Sequence, residues 1–226
     1  MRVLDLFSGI GGFSLGLERT GGFRTVAFCE IDPFCRRVLA KHWPEVPCYD
    51  DVRTIPLGAF RGVEVVCGGF PCQPFSRATA GKRRGVEDDR YLWPEMLRIV
   101  AEVRPAWVCA ENVAGIDGLA LVSLVSDLEA LGYEVAPPLC IPACAVGQDH
   151  RRDRYWFLAH ANRDGEPICT VNAEMAELPR GGGDTGGMGA PDGLPSRMDR
   201  LRALGNAVVP QIPELIGHAI LAAEAP

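Results

Sequence analysis

Short apolar runs alternate with amphipathic stretches over the first two thirds of this chain. Val3–Phe7, Thr25–Glu30, Val63–Cys67, Trp107–Ala110 and Tyr155–Leu158 read as strands. Several lack the polar alternation of a strand with one wet face, so they are expected to be buried on both faces. Between them, Phe13–Arg19, Pro33–His42, Trp93–Val103 and Leu119–Leu131 carry a helical period. This alternation predicts an α/β fold, a mostly parallel sheet with helices on both faces. After His160 the texture changes, and Gly181–Gly189 is nearly free of side chains. From Ile212 the helical period returns, with Ile212, Leu215, Ile216, Ala219, Ile220 and Ala223 on one stripe that must pack against the main body. Three segments follow: a sheet-building body over 1–160, a Gly-rich segment over 161–195, and a C-terminal helical segment over 196–226 that returns to the body. No internal repeat is visible.

The chain has 226 residues, 47% of them hydrophobic and 23% charged, enough to bury a proper core. No apolar run reaches the ~20 residues that a membrane-spanning helix needs. The N-terminal stretch Met1–Leu6 lacks the plan of a signal peptide, so the expected location is the cytoplasm. The nine cysteines are odd in number, scattered and without a Cys-x-x-Cys pair, which argues against a disulfide framework or a metal site. Most stand in apolar stretches and read as small core residues; Cys72 is the exception. A net charge of −6 argues weakly against nucleic acid, but its distribution matters more. Arg77, Lys82, Arg83, Arg84 and Arg90 crowd one segment, Arg151, Arg152 and Arg154 another, and Arg197, Arg200 and Arg202 a third.

The segment Asp5-Leu6-Phe7-Ser8-Gly9-Ile10-Gly11-Gly12 follows the first strand and opens a helix. Its glycines permit a tight turn and close approach of a ligand to the backbone. The second strand ends at Glu30, where an acid in a nucleotide-binding sheet holds the two ribose hydroxyls. Asp51 ends a third strand-like segment, where a carboxylate can accept from an adenine amino group. The turn lacks the Lys-Ser/Thr of a phosphate-cradling loop, so S-adenosylmethionine (AdoMet) fits better than ATP.

In Cys67-Gly68-Gly69-Phe70-Pro71-Cys72-Gln73-Pro74-Phe75-Ser76, a hydrophobic strand leads into a sharp turn. Two prolines flank Cys72-Gln73 and restrict the backbone, which places a thiol at the carboxyl end of the strand. That edge of an open α/β sheet is where ligands bind. A nucleophile, its thiolate favoured by nearby cations, is the chemistry that suits this position.

Phe7-Ser8-Gly9-Ile10-Gly11-Gly12, Pro71-Cys72-Gln73, Glu111-Asn112-Val113, Arg152-Asp153-Arg154 and Gly205-Asn206-Ala207-Val208-Val209-Pro210 together resemble the cytosine carbon-5 DNA methyltransferase family, in that family's order. The resemblance covers nearly the whole chain except about 163–192. It implies an AdoMet-binding methyltransferase sheet in which Cys72 attacks carbon 6 of cytosine and carbon 5 then takes the methyl group of AdoMet, leaving S-adenosylhomocysteine. It implies that Glu111 contacts ring nitrogen 3 and the exocyclic amine, and that Arg152 and Arg154 hold the carbonyl oxygen and organise the site. For the cofactor it implies Phe7, Gly9, Gly11 and Gly12 beneath the methionine portion, and Glu30 on the ribose. Ile31 and Val52 would flank the adenine, with Asp51 on its amino group and Leu92, Asn206 and Val208 around the pocket. No metal enters this chemistry. The expected partner is double-stranded DNA, from which the base must be flipped out, with 73–90 as a basic lid over it.

Most members of that family carry a sizeable target-recognition domain before the last motif; here about thirty Gly-rich residues stand in its place, and Leu194–Leu204 reads as a remnant of the motif preceding the last. A short or relaxed target site, or a partner chain that supplies the reader, is the expectation. Nothing in the pattern asks for an obligate dimer. An RNA cytosine methyltransferase and a partner-dependent, inactive AdoMet- and DNA-binding protein remain as alternatives. A folate-dependent nucleotide methylase would leave the glycine turn and Glu30 without a purpose.

Overall fold

The computed structural model describes residues 1–71, 91–116, 118–161 and 197–225. Strand β1 (Arg2–Leu6) leads through the glycine turn into helix α1 (Gly12–Arg19), then β2 (Arg24–Cys29), α2 (Pro33–His42) and the short β3 (Cys48–Tyr49). After a 3-10 turn at Leu57–Phe60 come β4 (Val65–Gly69), α3 (Trp93–Val103), β5 (Trp107–Val113) and α4 (Gly118–Ala130). The chain continues through β6 (Tyr133–Val135), β7 (Leu139–Pro142), a second 3-10 turn at Ala143–Val146 and β8 (Asp153–Ala161). Two helices, α5 (Arg197–Asn206) and α6 (Gln211–Ala223), complete the described chain.

The strands form one sheet in the order β3-β2-β1-β4-β5-β8-β6, with β7 also pairing β8. The first five in that order are parallel, and β8 runs antiparallel to β5, β6 and β7. The chain leaves β1 toward β2 on one side and later returns to β4 on the other. The crevice outside the carboxyl ends of β1 and β4 is therefore the switch point where open α/β sheets bind ligands.

Both sheet faces are covered. Leu4, Leu6, Val66, Val108 and Ala110 face one apolar layer, with Met96 and Ile99 of α3 and Leu124 and Leu128 of α4. Val3, Val65, Cys67, Trp107 and Cys109 face the other, with Phe13 and Leu17 of α1 and Ile212, Ile216 and Ile220 of α6. Successive strand residues point to opposite faces, so a strand buried on both must be apolar throughout. Local chemistry sets the helix starts. Asp32 caps α2 by accepting from the Phe34 amide at 2.8 Å, with proline in the first turn.

The described residues extend some expectations and correct others. Strand β5 runs to Val113, so Glu111 lies inside it, paired with Gly69 and Trp156, instead of just beyond its end. Strand β8 covers Asp153–Ala161, because β5, β6 and β7 each give it a ladder partner. Strand β3 is only two residues long, and Asp51 lies past its end. Cys29, Cys35, Cys67 and Cys109 are buried, whereas Cys140 and Cys144 are exposed, against the reading of the cysteines as core. Among the described residues no helix is long and apolar enough to cross a membrane.

Helix α6 approaches α1 through glycine. A Cβ at Gly16 would lie 2.2 Å from the Pro210 carbonyl oxygen and 2.8 Å from Pro213 Cβ. The obstruction includes backbone, which does not yield cheaply. Gly16→Ala is therefore expected to lower stability by about 1–3 kcal/mol, measured by urea unfolding. An unchanged midpoint would contradict this close approach.

Candidate active site

The glycine turn emerges from β1 with Phe7 at φ 52°, Gly9 at φ 55° and Gly11 at φ 87°. A left-handed phenylalanine is uncommon and is held by its surroundings. The Ser8 hydroxyl donates to the Asp5 carbonyl at 2.6 Å, and the Ser8 amide donates to the Cys29 carbonyl at 3.2 Å. The Gly9 amide donates to Glu30 Oε2 and the Asp32 amide to Glu30 Oε1, both at 2.7 Å. Glu30 thus ties the turn after β1 to the chain leaving β2, each carboxylate oxygen keeping a free lone pair.

Beside this turn lies a cavity of about 210 Å³. Phe7, Gly9, Glu30, Ile31, Asp51, Val52, Leu92 and Asn206, all expected from the sequence, line it. Gly11, Gly12 and Val208 are not in its wall. Gly11 caps α1, and Gly12 lies so close to Val208 that a Cβ would sit 2.4 Å from the Val208 carbonyl oxygen. Asp32, Asp50, Arg53, Gly69, Pro71 and Ala203 also line the cavity and were missed. The Asp-Pro helix start could have flagged Asp32, and Gly69-Phe70-Pro71 leads directly to the expected nucleophile. Ala203 belongs to α5, whose pattern gives no comparable signal.

The cavity suits AdoMet. Four carboxylates, Glu30, Asp32, Asp50 and Asp51, stand in its wall, fitting a ligand of net positive charge. Ile31 is 72% exposed at the lip, an apolar surface available to a flat ring. A Cβ at Gly9 would meet nothing within 4 Å, so the turn offers open space.

Across β4 stands the second half of the site. Glu111 is buried, and its Oε1 lies 2.7 Å from Arg154 Nε. Burial pushes the Glu111 carboxyl above its usual range, while Arg154 and then Arg152 pull it back down. Arg152 donates to the Gly205 carbonyl, joining the start of β8 to the end of α5. Its own pKa is lowered by burial and then by the like charge of Arg154. Both arginines therefore act on Glu111, one directly and one through the field.

Gly69 makes room for this carboxylate, since a Cβ there would lie 2.9 Å from Glu111 Oε2. Asn112, also buried, donates to the Phe70 carbonyl at 3.2 Å, and its Oδ1 accepts from the Val113 amide at 2.8 Å. The Phe70 ring meets Trp93 at 5.3 Å between centroids. The Leu92 amide donates to the Pro71 carbonyl at 3.4 Å. The chain that leads into Cys72 is thus fixed to β5 and to the start of α3. Cys72 itself and the basic run Arg77–Arg90 lie outside the described residues, as does the Gly-rich segment after Ala161.

An open α/β sheet with an antiparallel strand beside β5, an acid-lined cavity at its switch point and a buried Glu–Arg pair next to it defines the class of AdoMet-dependent methyltransferases. The chain belongs to the C-5 cytosine-specific DNA methylase family, whose model matches residues 1–181. It is 35% identical over 177 residues to the type II methyltransferase M2.BsuMI of Bacillus subtilis, covering 74% of this chain and 44% of that protein. To the type II methyltransferase M.Eco47II of Escherichia coli it is 36% identical over 167 residues, covering 71% and 39%. The chain thus spans less than half the length of these curated relatives. A crystal structure of a prophage-encoded DNA modification methyltransferase from E. coli superimposes with a TM-score of 0.60 at 29% identity. That match covers 71% of this chain and 47% of the other.

Removing Arg154 would strand a buried carboxylate. Arg154→Met is expected to cost about 2–4 kcal/mol at pH 8. The unpaired Glu111 would then hold its proton to still higher pH in the folded state than in the unfolded state. Stability should fall as pH rises through that window, so the loss shrinks toward pH 5. Urea unfolding at the two pH values checks this; an equal loss at both would contradict the pairing.

Proposed function

We propose that this chain transfers a methyl group from AdoMet to carbon 5 of a cytosine flipped out of double-stranded DNA, through a covalent adduct on Cys72. The observation that carries the reading is the position of Glu111. It is buried at the carboxyl end of β5, charge-paired with Arg154 at 2.7 Å, beside the strand that delivers Pro71-Cys72. The type II DNA methyltransferases among its relatives favour DNA over RNA as the substrate.

AdoMet, when bound, supplies an electrophilic methyl group on a sulfonium. The chain's own residues do the rest. The Cys72 thiolate forms an Sγ–C6 bond, and the electron pair of the C5–C6 double bond becomes available at C5. Burial raises the affinity of Glu111 for a proton, so its carboxyl can donate to ring nitrogen 3 and stabilise the charge that thiol attack creates there. Arg154 and Arg152 hold Glu111 in place and offer donors to the base carbonyl. Once C5 carries the methyl group, water takes the C5 proton, the C5–H electron pair restores the C5–C6 double bond, and the Sγ–C6 pair leaves with Cys72 as thiolate. Glu30, already fixed by the Gly9 and Asp32 amides, keeps lone pairs for the ribose hydroxyls. Ile31 and Val52 flank the adenine in this reading, and Asp51 accepts from its amino group.

Specificity follows the same logic. The stretch Gly181–Gly189 offers only Asp184, Thr185 and Met188 as side chains for base edges, and phosphate contacts position without specifying. The lone chain therefore recognises a short or relaxed site, or a partner chain supplies the reader.

Cys72→Ser is expected to abolish methyl transfer while AdoMet binding persists, because the thiol belongs to the chemistry and not to the cofactor cavity. A covalent complex with DNA containing 5-fluorocytosine should form with the wild type alone, since fluorine cannot leave as the C5 proton does. Denaturing electrophoresis reads the complex. An adduct with the serine variant, or none with an active wild type, would overturn the nucleophile.

A further inference from the structure

Beneath the cofactor turn lies a titratable group that the methyl-transfer chemistry does not use. Asp5, on β1, is 0% exposed. Its Oδ2 accepts from the Ser14 hydroxyl at 2.7 Å and from the Ser14 amide at 3.3 Å. Ser14 lies in the first turn of α1, so this carboxylate holds the helix whose start forms the glycine turn. The other oxygen, Oδ1, is buried with no nitrogen or hydroxyl donor against it, and only the weakly donating Cys67 thiol adds a further hydrogen bond to the carboxyl. A buried carboxylate with one oxygen so poorly paired is an expensive arrangement, and no described cation pairs with it: Arg2, Arg24 and Arg19 stand at exposed ends of β1, β2 and α1. From β4 and β5 the neighbours are the thiols of Cys67 and Cys109, in the same cross-strand row as Asp5. From the end of β2 comes Glu30 and from α1 Glu18, both acidic. Helix α6 gives that layer apolar side chains, Ile212, Ile216, Ala219 and Ile220.

We propose that Asp5 is a positioning residue for the cofactor turn and that its carboxyl gives up a proton when AdoMet binds, so that cofactor affinity rises with pH near neutrality. The inference rests on the reading of the cavity as an AdoMet site. Burial, with smaller contributions from Glu30 and Glu18, pushes the Asp5 carboxyl up to about 7. Glu30 both raises Asp5 and lines the cavity. A cation seated against Glu30 offsets its charge and lowers Asp5 in turn. By linkage, whatever makes Asp5 lose its proton binds more tightly when the proton is already gone. A fall of one unit on binding corresponds to an affinity rise of about fivefold between pH 6 and pH 8. S-adenosylhomocysteine lacks the sulfonium charge and should release less proton than AdoMet.

The test has two parts. Without ligand, urea unfolding from pH 4 to pH 8 reads Asp5 directly. Unfolded Asp5 loses its proton near 4 and folded Asp5 near 7, so the wild type should lose stability as pH rises between them and level off above. Asp5→Asn should lack that slope. If Asp5→Asn does not fold, Ser14→Ala removes a stabilising donor to the carboxylate and should move the window to higher pH. With ligand, calorimetry of AdoMet binding at pH 7 in buffers of different ionisation enthalpy should show proton release from the wild type, less with S-adenosylhomocysteine, and little from Asp5→Asn. Equal release from the wild type and Asp5→Asn, or a ligand-free slope unchanged by Asp5→Asn or Ser14→Ala, overturns the role of Asp5. Failure of the wild type to bind AdoMet at any pH, with the ligand-free slope present, overturns the cofactor reading and with it the coupling, while the buried titration of Asp5 stands.

Discussion

The constraint on which the site depends is the burial of Glu111. A carboxylate taken out of water needs a partner in good geometry or it takes up a proton. Here the partner, Arg154, comes from β8, which reaches Glu111 only because it runs antiparallel along β5 in the register Asn112–Tyr155 and Val113–Arg154. The antiparallel strand beside a parallel sheet is thus more than a topological detail. It carries a guanidinium to the carboxyl end of β5, against a carboxylate that would otherwise be buried alone. Arg152, just before the same strand, joins that edge to the Gly205 carbonyl near the end of α5. The C-terminal segment is thereby tied to the site from one side, and α6 seals the sheet face behind it.

Around this pair the crevice divides into two electrostatic halves. On the β2 side, Glu30, Asp32, Asp50 and Asp51 line a cavity suited to a cationic nucleoside. On the β5 side, Glu111 stands under two arginines. The divider is the end of β4, where Gly68 and Gly69 bring the backbone close to Leu6 and to Glu111. Any side chain there would push the halves apart. Methyl transfer would require donor and acceptor within a bond's reach, and two adjacent glycines leave room for that approach. The net charge of −6 then loses its force as an argument against DNA, because several of the acids are committed to the cofactor half.

Much of this was legible in the sequence because the responsible signals are local. Asp32-Pro33 starts α2, and the unbroken apolar strands announced a sheet covered on both faces. The acid after β2 stands at a fixed place in a repeating unit, so Glu30 was readable by position. What escaped was long-range. That Glu111 lies inside β5 depends on pairing with β8, more than forty residues later, and no local pattern reports it. Strands β6 and β7 are too short for a period to emerge. Nor does any local pattern report that Val208 packs against Gly12. Cys140 is exposed on β7, beside β8, and Cys144 in the 3-10 turn that follows, where apolar composition is no guide to burial.

The central claim is that Glu111, held by Arg154, activates a cytosine delivered to Cys72. It is tested most directly by measuring 5-methylcytosine in DNA by bisulfite sequencing after incubation with the chain and AdoMet. Glu111→Gln keeps the shape but loses the carboxyl that the ring nitrogen and the arginines require. Losing one such stabilising group typically lowers the rate by about 10²–10³-fold. The account expects methylation by the wild type and a loss of that order in Glu111→Gln, with AdoMet affinity unchanged. Methylation by Glu111→Gln at the wild-type rate would contradict it.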